Sequence, residues 1–180
     1  YKALGLTTTT TANVKVDGAN ASPATASLTN GGTDTLGANG ALTEVYNVNN
    51  TITVVTINTY VATVATVTPA KNGNPATIKL TANGTDPVKA ADTYETTAFA
   101  KDDVVLYTYA NSKIQSVAKA NSATGALTGY TTDKNAVVGG TTYSYSAKTT
   151  DTAVSYVAVS GQDLKDDVTV YFDNYGNIIK

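Results

Sequence analysis

Four aspartates near the end of the chain, Asp163, Asp166, Asp167 and Asp173, form its densest group of hard oxygen ligands. Calcium is the ion such a group would serve, because it gathers about six to eight oxygens from carboxylates, carbonyls and water. The spacing has no Asp-x-Asp-x-Asp-Gly frame. The first expectation is therefore no cofactor, with calcium as the alternative and these four residues as its candidates. A second acidic pair, Asp102-Asp103, matches Asp166-Asp167. Adjacent residues on a strand point to opposite faces, so each pair reads first as a surface turn.

Other chemistries lack their residues. The chain has no His, Cys, Met, Trp or Arg; all twelve basic residues are Lys, and twelve of the fourteen acids are Asp, Glu44 and Glu95 being the others. No thiolate, imidazole base or soft metal site can be built from this set. Glycosidase chemistry needs two carboxylates about 5–10 Å apart in a cleft, which no spacing here suggests, and the Trp that stacks on sugars is absent. No motif frames a Ser–Lys dyad or a phosphate loop. The expectation is a protein that is not an enzyme, with no catalytic or cofactor-binding residue. Without Arg forks or a basic cluster, and at net charge −2, nucleic acid is excluded as a partner. Membrane insertion is not expected either, since no long apolar stretch occurs. Twelve Tyr against two Phe suit packing surfaces that keep a hydroxyl wet. The alternative is a ligand platform, for which Tyr107, Tyr109, Tyr143 and Tyr145 are the candidates. Asn20, Asn49 and Asn83 open short sequon patterns.

The elements that would position these groups read as strands. Hydrophobic residues make up 42%, enough for a core, while charged residues make up only 14% against roughly 25% in ordinary soluble domains. Thr and Val, which suit a pleated surface, fill short alternating runs. Asp17-Gly18, Asn30-Gly31-Gly32, Asn39-Gly40, Asn72-Gly73, Asn83-Gly84 and Gly139-Gly140 supply tight turns between them. Ala136 to Ser146 is the clearest hairpin, with Tyr143 and Tyr145 alternating on its return. Thr51 to Val67 is long for one strand and breaks at Asn58-Thr59. Asp86 to Glu95 has room for one helical turn, and no stretch sustains helical spacing. The TTTTT run from Thr7 to Thr11 reads equally as a connector or an edge strand. Tyr1 replaces an initiator Met, and YKALGL reads as the end of a preceding module in a longer protein.

One phrase occurs twice. KDDVVLYTYANSKIQ begins at Lys101 and KDDVTVYFDNYGNII at Lys165, with identities at Lys101/Lys165, Asp102/Asp166, Asp103/Asp167, Val104/Val168, Tyr107/Tyr171 and Ile114/Ile178. Each predicts a polar turn, a strand, a second turn and a return strand opened by the Ile. Val104, Leu106 and Thr108 would share a face, as would Val168, Val170 and Phe172. The two hairpins would lie side by side and close a small barrel or sandwich. The chain is thus expected to be all-β, built of antiparallel short-strand sandwich or small-barrel modules, two in number: residues 1–97, and residues 98–180 bounded by the KDDV hairpins.

Thr51 to Val64, Ala100 to Ala120, Ala123 to Ser146 and the terminal DLKDDVTVYFDNYGNIIK together resemble the β-rich region of surface-layer proteins of Firmicutes that carry S-layer-homology anchoring repeats. The resemblance implies an extracellular, cell-wall-attached structural module without catalytic residues. Its partners would be further copies or neighbouring modules of the same protein, with cell-wall polymer held by domains outside this sequence. An adhesin or carbohydrate-binding module is the alternative, as is a non-catalytic appendage of a surface hydrolase.

Overall fold

The computed structural model describes residues 10–28, 39–82, 86–131, 134–147, 164 and 166–180. Thirteen strands run through them, and the described residues contain no helix. They are β1 (Thr10–Val16), β2 (Ala19–Leu28), β3 (Ala41–Val48), β4 (Thr51–Asn58), β5 (Tyr60–Thr68), β6 (Thr77–Ala82), β7 (Tyr94–Glu95), β8 (Val104–Ala110), β9 (Lys113–Lys119), β10 (Asn121–Thr131), β11 (Asn135–Val138), β12 (Thr141–Ser144) and β13 (Asp167–Phe172). The all-β expectation holds. Asp86 to Glu95 carries a turn, in which Asp92 N–H donates to the Lys89 carbonyl, and then the short β7.

Local chemistry explains the hairpins. A two-residue turn that follows the right-handed twist of its strands needs positive φ at both positions, which Asn, Asp and Gly tolerate. Asp17-Gly18, Asn72-Gly73 and Gly139-Gly140 adopt it, as do Asn49-Asn50 and Asn111-Ser112. The hairpins assemble into three sheets, ordered β2-β1-β4-β3, β7-β6-β5-β8-β9 and β12-β11-β10-β13. Every pairing between these named strands is antiparallel except β1 with β4, where Ala12 lies beside Ile52 and Val16 beside Thr56.

The sheets follow one another along the chain, and the passage between them is abrupt. β4 belongs to the first sheet and β5 to the second, with Thr59 alone between them; β9 belongs to the second and β10 to the third, with Ala120 alone between them. Both joints are buried. Ile52, Val54, Thr56 and Asn58 are buried in alternation along β4, and burial is then continuous from Asn58 to Ala62 across the joint. The break expected at Asn58-Thr59 is therefore a change of sheet inside one buried run.

Each sheet carries apolar burial. Tyr60, Val64, Ile78, Leu80, Val105 and Tyr107 lead the core of the second sheet. Leu127, Val138, Tyr145, Val170 and Ile178 lead that of the third. Ala12, Ile52 and Val54 are buried on the first.

Two expectations about organisation are corrected. The boundary between residues 97 and 98 falls inside the second sheet, because β5 hydrogen-bonds with β8 from Tyr60↔Tyr107 to Thr63↔Val104. The two KDDV strands do not lie side by side. β8 pairs with β5 and β9, whereas β13 pairs with β10. Their cores also differ. Val168, Val170 and Phe172 face the core of the third sheet as expected. In the first phrase it is Val105, Tyr107 and Tyr109 that fill the core, because β8 is covered on both faces. Of the TTTTT run, Thr10 and Thr11 open β1, an interior strand; Thr7 to Thr9, Asn30-Gly31-Gly32 and Asn83-Gly84 lie outside the described residues.

Candidate functional site: the junctions between sheets

The most specific side-chain geometry lies where one sheet meets another. At the Thr59 joint an Asp closes the corner. Asp17 sits at φ 50° in the β1–β2 turn, and its N–H donates to the Thr56 carbonyl at 2.9 Å. Its carboxylate accepts from Asn58 N–H at 2.8 Å, from Asn58 Nδ2 at 2.8 Å and from the Tyr60 hydroxyl at 2.6 Å. One side chain thus holds the last residue of β4 and the first of β5. Hydrogen bonds to a charged acceptor stabilise by about 1.5–3 kcal/mol each, which offsets the cost of burying the Asn58 amide. The Tyr60 ring lies 5.4 Å from that of Tyr107 at 30°, a favourable tilted contact. Burial, then the bond to Asp17, pushes the Tyr60 hydroxyl well above its usual range. Burial does the same for Tyr107, with the charge of Asp86 as the next cause.

The Ala120 joint is apolar. Ile179, fully buried, packs with Val61, Leu106 and Ala120, and Val104 and Tyr171 flank them. Ile179 arrives there because the terminal residues fold back along β13. Tyr171 N–H donates to the Lys180 carbonyl at 2.8 Å, and Ile179 N–H donates to the Tyr171 carbonyl at 2.9 Å. Lys180 Nζ then reaches Thr63 Oγ1 on β5 at 3.2 Å. The third sheet is fastened across the outer face of the second.

A polar knot joins the first sheet to the third. The Asn39 carbonyl accepts from Ala147 N–H at 2.9 Å and from Ser146 Oγ at 3.3 Å, and Asn39 Nδ2 donates to the Tyr145 carbonyl at 3.4 Å. Gly40 follows at φ +84°, buried so closely that a Cβ there would collide with Asp173 Oδ2 and Ser146 Oγ.

The expected calcium residues do not converge. Asp163 lies outside the described residues. Asp166 and Asp167 are exposed before and at the start of β13, and Asp173 follows its other end. Six residues of strand separate the ends by roughly 20 Å, too far for a shared ion. Asp173 is buried and its oxygens are already engaged: Oδ1 accepts from Tyr175 N–H at 2.8 Å and Asn177 N–H at 2.9 Å, and Oδ2 accepts from Asn177 Nδ2 at 3.1 Å. It is a turn-former. Asp103 does similar work in the first phrase, accepting from Ala100 N–H at 2.9 Å and Lys119 Nζ at 3.1 Å. Those two bonds, in that order, hold its carboxyl below the usual range. Among the described residues no group of three or more acids is placed to hold a metal.

The proposed Tyr platform is also dispersed. Tyr107, Tyr109 and Tyr145 are buried and Tyr143 is half-buried against Phe172 at 4.7 Å. Tyr109 instead donates to Asp92 at 2.8 Å. Of the sequon residues, Asn20 and Asn49 are exposed, and Asn83 lies outside the described residues. Sequence reasoning missed Asp17 because its partners stand 41 and 43 residues away. A signal did exist: Asn58, an amide in phase with the buried positions of a Val/Thr run, had to find a partner. Among the described residues no helix is long and apolar enough to cross a membrane. Comparison of the chain with protein-family models, with curated proteins and with solved structures finds no match.

Proposed function

We propose that this chain is a non-catalytic structural module of a bacterial surface layer or similar cell-envelope protein, outside the cell and attached to the wall through other parts of a longer protein. The observation that carries this reading is the construction of the joints. Single buried residues, Thr59 and Ala120, link the sheets in place of flexible linkers, and dedicated contacts lock each junction. Domains that move relative to one another are usually joined by exposed linkers and polar, modest interfaces. A module that must hold spacing between neighbours needs the opposite. Low charge agrees with this, since 14% charged residues limit repulsion between crowded copies. The resemblance of the four stretches to surface-layer proteins points the same way.

The test is made on the native cell. Intact cells are stripped with a chaotrope and the parent protein is quantified in the extract by mass spectrometry. Dominance of that fraction is the expected result. A parent protein found inside the cell, or dispersed in every ionic condition and absent from the surface, overturns the reading.

A further inference from the structure

An Asn that precedes Gly carries a reaction of its own. Once base removes its proton, the Gly nitrogen can attack the Asn side-chain carbonyl carbon, and no Cβ on the Gly stands in the way. The peptide group between the two residues must be free to turn its nitrogen toward that carbon. Asn39-Gly40 and Asn72-Gly73 both lie among the described residues, and they are held in opposite ways. The Asn39 peptide group is pinned. Its carbonyl accepts from Ala147 N–H at 2.9 Å and from Ser146 Oγ at 3.3 Å, its Nδ2 donates to the Tyr145 carbonyl at 3.4 Å, and Gly40 is buried against Asp173 and Ser146. Nothing pins the peptide group of Asn72. Asn72 and Gly73 are the central residues of a turn, at φ 52° and 81°. Lys71 and Asn74 close that turn, Lys71 N–H donating to the Asn74 carbonyl at 3.1 Å and Asn74 N–H to the Lys71 carbonyl at 3.0 Å. Asn72 and Gly73 are exposed, neither makes a hydrogen bond, and only chain neighbours come within 4 Å of a Cβ built on Gly73.

We propose that Asn72 is a site of spontaneous deamidation in the folded chain, and that the fold spares Asn39. The Gly73 nitrogen bonds to Asn72 Cγ, the Cγ–Nδ2 bond breaks, and ammonia leaves with the proton that the Gly73 N–H gave up. Water then opens the five-membered ring at either of its carbonyl carbons. Attack at Cγ restores the ordinary backbone with an Asp at position 72. Attack at the main-chain carbonyl leaves the backbone running through Cγ, one carbon longer. The net change is uptake of one water and release of one ammonia, with nothing oxidised or reduced. Asn74, equally exposed two residues on, precedes Pro75, whose nitrogen carries no hydrogen, so this route is closed to it. Either product sets a new carboxylate beside Lys71 in a chain of net charge −2. The longer product also stretches the tip of a hairpin that β5 and β6 enter in fixed register at Thr68↔Thr77. The mark is irreversible and accumulates with the age of the molecule.

The inference goes beyond the envelope reading and does not depend on it. The test incubates the purified 180-residue chain at mildly alkaline pH, folded and, in parallel, unfolded in guanidinium chloride. Samples taken over time are digested, and tandem mass spectrometry assigns each Asn that has gained the mass of an amide turned acid. Trypsin frees Asn72 to Lys79 as one short peptide that holds Asn72 and Asn74 together. In the folded chain Asn72 is expected to convert roughly tenfold faster than Asn39 or more, since the bonds on the Asn39 carbonyl must break before its peptide group can turn. In guanidinium the two rates should draw together, and Asn74 should stay intact throughout. Equal rates at Asn72 and Asn39 in the folded chain overturn the proposal. So does an Asn72 that converts only when unfolded, which would mean that the hairpin itself holds the peptide group still. Conversion of Asn74 as fast as Asn72 overturns the ring-closing step, because direct hydrolysis by water would then suffice.

Discussion

Asp17 makes its corner with charge and the tyrosines beside it carry the consequence in pH. The hydroxyls of Tyr60 and Tyr107 are both held above the ordinary tyrosine value of 10.0, chiefly by burial. Below that pH both are protonated in folded and unfolded chains alike, so their contribution is fully present. Above it the unfolded chain releases protons that the folded chain retains, and stability falls as pH rises. Alkaline unfolding should therefore be cooperative with ionisation of these two residues, which ultraviolet titration of tyrosinate reads alongside circular dichroism. Tyr107→Phe should make the alkaline decline shallower. Tyr60→Phe should do the same and also cost roughly 1.5–3 kcal/mol at neutral pH, measured by denaturant titration, because Asp17 loses its shortest bond. An alkaline profile identical to that of the parent chain would mean the tyrosines titrate while folded.

Hairpins were the most legible elements, since the Asn, Asp and Gly pairs that announce them are the residues that tolerate positive φ. The joint at Thr59 was legible too, because two polar residues interrupt an apolar run. Pairing beyond neighbours was not. Nothing in β1 specifies a parallel partner forty residues on, and nothing in KDDV distinguishes a strand covered on both faces from one covered on a single face. The repeated phrase records similar local geometry, a lead-in turn and a strand, placed in two different sheets. Gly40 shows what local reading leaves out. Gly40 and Gly73 have nearly equal φ, +84° and +81°, but nothing lies within 4 Å of a Cβ at Gly73. Changing either to Ala carries the left-handed strain of about 1–2 kcal/mol. Only Gly40→Ala also forces Asp173 and Ser146 apart, so its unfolding midpoint should fall well below that of Gly73→Ala. Equal midpoints would show that the knot between the first and third sheets yields freely.

At the scale of the molecule, three sheets are held by three unlike fasteners: a carboxylate, an apolar plug and a glycine contact. The plug has the clearest energetic signature. Ile179→Ala should cost about 2–5 kcal/mol, the range for truncating a buried aliphatic side chain, although the residue is next to last in the sequence. Denaturant unfolding followed by circular dichroism checks it, and a cost near zero would mean the tail is not docked. The Thr59 joint has another consequence. Because Asp17 holds Asn58 and Tyr60 on one side, while Val61 packs into a different cluster from Tyr60 and Ala62, β4 hands its phase to β5, and the two sheets obey a single reading frame of sides. Insertions after Thr59 should then be judged by parity and not by length. One added residue would turn β5 over and present Val61 where Tyr60 and Ala62 belong, whereas two added residues would restore the frame. In proteolysis and circular dichroism the longer insertion should be the milder one.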